Sequence, residues 1–103
     1  DKIEASAIPA SETVAPGAVY QAQLMLLLST STSRAQFSAD GRELPIAPDF
    51  RHAAVHFKIP AARSGQPDTV RATWHGHIRL PRADGDTVLE TTVPYLIVKP
   101  RPR

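Results

Sequence analysis

VRATWHGHIRLPRADGDTVLETTVPYLIVKP, residues 70–100, alternates apolar and polar side chains, turns, alternates again and leaves through a proline. In its first arm Val70, Ala72, Trp74, Gly76, Ile78 and Leu80 fall on one face, with Arg71, Thr73, His75, His77 and Arg79 on the other. Successive side chains of a strand point to opposite sides, so this pattern predicts a half-buried strand with one core face and one wet face. Asp84-Gly85-Asp86 supplies the turn, its short carboxylates suited to local backbone hydrogen bonds rather than to calcium or acid-base work. The second arm places Leu89, Thr91, Val93, Tyr95 and Ile97 on one face. Pro94 lies within it and has no N–H to donate, which marks an edge, a bulge or a crossing between sheets.

Upstream, the same reading continues. Residues 1–8 alternate Ile3, Ala5 and Ala7 against polar neighbours until Pro9, and Pro16-Gly17 is a strong turn signal. From Val19 to Thr30, Tyr20, Ala22, Leu24, Leu26 and Leu28 share one face, and Val19, Gln21, Gln23, Met25 and Leu27 the other. Leu, Met, Gln and Ala are also good helix formers, but clean alternation between turn signals favours a strand. Its second half is apolar on both sides. Met25 and Leu27 therefore need a cover: a loop, a neighbouring domain or a second copy of the chain. STSTSR reads as a polar loop, Asp40-Gly41 as the turn of a short hairpin whose second arm is limited to an edge by Pro45 and Pro48, and residues 52–59 as a strand with Ala53, Val55, Phe57 and Ile59 inward. Seven mostly antiparallel strands with no convincing helix predict an all-β, immunoglobulin-like β-sandwich over residues 1–98. The expected core holds Tyr20, Leu24, Leu26, Phe57, Trp74, Ile78 and Ile97.

At 103 residues there is room for a single core. The chain has no cysteine, which removes disulfides and thiolate metal sites. Lys99, Arg101 and Arg103 of the terminal KPRPR carry three of the twelve positive charges, so the body is near neutral. Basic charge collected in a Pro-rich tail reads as a linker over residues 99–103, not as a nucleic-acid face. The longest apolar run, Leu24 to Leu28, is far below the roughly 20 residues that span a bilayer, so no direct membrane insertion is expected. Beginning at Asp1 without a signal peptide, the chain reads as a piece of something longer.

Catalytic chemistry finds little footing. No serine sits in a nucleophile elbow and the five glycines are scattered singly, so neither a hydrolase triad nor a phosphate loop is expected. His75 and His77 share a strand face and could hold a metal if His56 or His52 supplied a third ligand, but exposed histidines on a polar face are common. The expectation is no catalytic, cofactor-binding or metal residue, and no cofactor. Trp74, the lone tryptophan, reads as a core anchor in preference to a sugar platform.

Four stretches carry a resemblance to a known family. DKIEASAIPASETVAPGAVYQAQLML, with Ile8, Pro9, Gly17, Tyr20 and Ala22 in matching places, the hairpin at Asp40-Gly41-Arg42 with Leu44, the strand from Trp74 to Leu80, and the closing TTVPYLIVKP together resemble the β-rich periplasmic segments of the GldM/PorM family, a gliding-motility and type IX secretion component. The resemblance implies a parent protein held by an N-terminal transmembrane helix, projecting dimeric periplasmic rods that couple an inner-membrane, proton-driven motor to outer-membrane secretion parts. It implies one bead of that rod, in the periplasm, partnered by other domains of the same chain, by a second copy in a homodimer and by other secretion or gliding proteins. The alternative is a ligand-binding immunoglobulin-like module of a cell-surface or sensor protein, which should show a concave pocket. Two surfaces are candidates for protein contact: Met25 and Leu27 on the second face of the Tyr20 strand, and the basic stripe Arg71, His75, His77 and Arg79. The apolar one is favoured, because exposed charge pairs contribute little.

Overall fold

The computed structural model describes residues 3–28, 35–49, 51–81 and 84–101. They form eight strands: β1 (Ile3–Pro9), β2 (Thr13–Val14), β3 (Val19–Leu28), β4 (Gln36–Ala39), β5 (Arg42–Glu43), β6 (His52–Lys58), β7 (Thr69–Leu80) and β8 (Thr87–Val98). The small sheet has the order β1-β3-β6 and the large sheet β2-β8-β7-β4-β5. Every pairing is antiparallel except β2 with β8. This is an all-β sandwich, and the expectation of that class holds. Eight strands stand where about seven were expected: the addition is β2, a two-residue piece that sequence alternation cannot register, while β5 is the short second arm expected after Asp40-Gly41.

Local signals place the turns. Ala18 N–H donates to the Ala15 carbonyl at 3.1 Å across Pro16-Gly17, with Gly17 at φ 81°, the left-handed position that a proline-led type II turn requires. Asp40 and Gly41 both have positive φ, 48° and 79°, and join β4 to β5 as a two-residue hairpin turn that matches strand twist. Asp84-Gly85-Asp86 lies in the connection before β8, which begins at Thr87. The STSTSR loop lies outside the described residues, as do the last two residues of the tail. Lys99 is fastened to the body: its N–H donates to the Asp68 carbonyl at 2.9 Å and its Nζ to the Gln66 carbonyl at 2.8 Å.

The core lies between the sheets. Tyr20, Ala22, Leu24 and Leu26 of β3 and Ala53 and Val55 of β6 face Phe37, Trp74, Ile78, Leu80, Val93 and Tyr95 of the large sheet, with Ala35 and Ile59 closing the ends. No polar or charged side chain is buried among the described residues. Phe57 and Ile97, expected in the core, are half-buried at its margin, while Phe37 is fully buried. Trp74 Nε1 donates to the Tyr20 hydroxyl at 2.9 Å, and Tyr20 packs on Phe57 and Tyr95 at ring-centre distances of 5.0 and 4.6 Å. This cluster pins one sheet to the other and gives the buried indole N–H its partner.

Register fixes the direction of the chain. Tyr20 of β3 meets Tyr95, the partner of Ala72, and Leu24 sits against Gly76, so β3 and β7 run the same way across the core. β1 is antiparallel to β3 and β8 to β7, hence β1 and β8 also run together. Ile3 and Val98 accordingly lie at opposite ends of a body measuring 56 × 22 × 21 Å.

Both terminal strands place a proline on their unpaired side. Ala10 N–H donates to Gln21, so even-numbered residues of β1 point their backbone groups toward β3 and Pro9 points away. Leu96 N–H donates to Glu12 in β2's direction, so Pro94, in the same phase, faces away from β7. Neither proline interrupts a ladder, which resolves Pro94 as an edge position on a stretch of β8 that β2 does not cover.

Candidate interaction surfaces

The outward face of the small sheet is built from the odd residues of β3 and the even residues of β1 and β6. Register sets Ser6, Met25 and His52 in one row, Ile8, Gln23 and Ala54 in the next, and Glu4 beside Leu27. Met25 is half-buried and Leu27 is 40% exposed. Ile8 at 56% and Val19 at 50% join them, so three of the four large hydrophobic side chains that are exposed among the described residues share this face. Only Val88 lies elsewhere. The apolar patch is thus wider than Met25 and Leu27; alternation places Val19 on their face, while Ile8 goes unremarked.

An ionic cluster rims one side of this patch. Asp49 Oδ1 accepts the Arg51 N–H at 2.9 Å and its other oxygen meets His52 Nδ1, a turn that begins at Pro48-Asp49. The Arg51 backbone hydrogen bond, opposed by desolvation and joined by His52, holds the Asp49 carboxyl below its ordinary range. Met25, Leu27, Asp49, Arg51 and His52 line an open groove of about 520 Å³. Sequence reading missed Asp49 and Arg51 here; the Pro-Asp dipeptide was the available signal.

The basic stripe occupies the outward face of the large sheet, with Arg71, His75 and Arg79 exposed and His77 half-buried. Much of it is answered from β8 and its preceding turn. His77 Nε2 lies 3.3 Å from Glu90 Oε1, Arg79 Nε 3.9 Å from Asp86 Oδ2, and His75 Nδ1 3.2 Å from Thr92 Oγ1. These are exposed pairs of small energetic weight. Arg71, whose register partner is Leu96, borders an open trough of about 580 Å³ with Glu12, Thr73 and Pro94. The stripe is real as a pattern, and two of its four members, His77 and Arg79, face acidic neighbours.

The histidine arrangement considered for a metal is not assembled. His75 and His77 face outward from the large sheet, His52 and His56 outward from the small one, so the core separates the two pairs. No group of three or more His, Asp or Glu side chains suited to a metal ion occurs among the described residues.

The family model describing the GldM second domain matches residues 1–99. The chain belongs to the GldM family. No curated protein matches it. GldM proteins are gliding-motility and type IX secretion components, membrane-anchored with periplasmic domains, and are not a known enzyme family. In this GldM second domain no helix among the described residues is long and apolar enough to cross a membrane.

Proposed function

We propose that this GldM second domain is a non-catalytic structural unit of a periplasmic shaft linking an inner-membrane motor to outer-membrane secretion and gliding components. The observation that carries this reading is the chain path: β1 enters at one end of the elongated sandwich and β8 leaves at the other, which suits a segment in series within a rod. Family membership supports the setting. Ligand pockets enclose most of a small molecule, whereas the concavities here are open troughs on sheet faces. In this reading the unit meets a second copy of itself through the Ile8, Val19, Met25 and Leu27 face, where apolar area is available to bury.

The test is a replacement in the full-length protein within a gliding cell, this domain exchanged for a flexible Gly/Ser segment of similar reach. Membrane anchoring should persist while gliding and secretion are lost. Unimpaired gliding and secretion would falsify the shaft role.

A further inference from the structure

The parallel course of the first and last strands has a mechanical meaning. Ladder hydrogen bonds lie perpendicular to the strands they join. A load that separates the bonded strands sideways breaks those bonds one after another, whereas a load directed along the strands strains the whole ladder at once. Tension applied at Ile3 and Val98 is of the second kind, since each strand would be drawn along its own axis and out of its own end of the sandwich.

We infer that the domain is a tension clamp, in which β1 against β3 and β8 against β7 are loaded in shear; the direction of load rests on the shaft reading above. β1 holds β3 over seven register pairs, Ile3↔Leu28 to Pro9↔Ala22, and β8 holds β7 over twelve, Thr69↔Val98 to Leu80↔Thr87. The shorter ladder yields first. Pro9 and Pro94, the prolines inside these strands, both turn their missing N–H to the free edge, so the clamp ladders keep their donors there. A second lock lies directly behind the first. After Pro9 the chain crosses to the large sheet within Ala10–Glu12, and β2 lies parallel to β8 through Thr13↔Leu96 and Val14↔Ile97, with Leu96 N–H donating to the Glu12 carbonyl at 2.9 Å. The strand that follows β1 is therefore bonded to the strand that leaves the domain, and a pull that strips β1 from β3 next meets a parallel pair, again in shear.

Single-molecule pulling in two directions tests the clamp. The chain has no cysteine, so introduced cysteines define the points of attachment. Axial load enters through handles on the two chain ends. Unzipping load enters through Asp68→Cys and Arg101→Cys, which flank the Thr69↔Val98 pair at one end of the β7–β8 ladder. At equal loading rate the axial rupture force should be several-fold the unzipping force, because forced unfolding follows the barrier along the pulled direction. Equal forces in the two directions overturn the proposal. A proline pair adds a local check: Ser6 directs its N–H to β3 and Ala7 to the free edge, so Ser6→Pro should lower the axial force far more than Ala7→Pro. Equal loss in both overturns the assignment of β1 as a clamp strand. The directional comparison uses no variant inside a strand and stands even if Ser6→Pro fails to fold. A weak axial response combined with loss of gliding on domain replacement sinks the clamp and leaves the shaft; a strong response with gliding intact does the reverse.

Discussion

Trp74 has no accessible surface, and its indole N–H would be orphaned if Tyr20 did not supply a hydroxyl 2.9 Å away. Tyr20→Phe keeps the ring packing and removes that acceptor, so it should destabilise the fold by about 1–3 kcal/mol, the cost of an unsatisfied buried donor. Trp74→Ala, which also opens a cavity, should cost about 3–5 kcal/mol. Urea unfolding of the two variants gives both numbers, and a Tyr20→Phe protein as stable as the parent would refute the role given to this bond. Tyr95, in the same cluster, is a second residue with a consequence. Burial, helped by the charges of Asp40 and Tyr20, raises its phenol above the ordinary value. The unfolded chain then ionises first. Its contribution is intact below the ordinary tyrosine value of about 10 and is lost as pH rises through the higher folded-state value. Tyr95→Phe should flatten the alkaline fall of stability; a slope unchanged from the parent counts against this.

Among the elements, β7 packs tightly at Gly76, where a side chain of the small sheet approaches its backbone. A Cβ added at Gly76 would meet Leu24 Cδ1 at 2.8 Å, Thr91 Cγ2 at 3.1 Å and Trp74 Cζ3 at 3.1 Å. Gly76→Ala should therefore overpack the interface and cost about 1–3 kcal/mol. Shortening the opposing side chain in Leu24→Val should relieve part of it, so the double variant should be more stable than the two single losses predict. Strict additivity would show that the sheets adjust elsewhere. How far such elements are legible in the sequence depends on their length. β3, β7 and β8 span ten to twelve residues, enough for a period of two to declare itself, and their inward faces are as the alternation reads. β4 has four residues, which is why Phe37 entered the core unannounced. Alternation assigns a histidine to the polar side of its strand but says nothing about which sheet that strand joins. His52 and His56 could thus be grouped in thought with His75 and His77 although folding puts a core between them. The Asp49, Arg51 and His52 rim is likewise a product of a turn meeting the end of β3: Pro48-Asp49 signals the turn, but only pairing shows what it borders.

At the scale of the whole molecule the two candidate surfaces are opposite faces of one sandwich, and they differ in what they can bury. The small-sheet face offers Ile8, Val19, Met25 and Leu27, while on the large-sheet face His77 and Arg79 already have acidic neighbours in Glu90 and Asp86. Cysteines at positions 25 and 27 of the full-length, assembled protein should therefore trap a contact between copies, and cysteines at 75 and 77 should not. Crosslinking confined to 75 and 77, or none at any of the four, contradicts the assignment. The end-to-end chain path has a further consequence, one of length. A sandwich that receives and releases its chain at the same end adds bulk to a polymer without adding span. This one converts residues into reach along its long axis, so units of this kind joined in series would act as a ruler, and the gap to be bridged would set how many are needed.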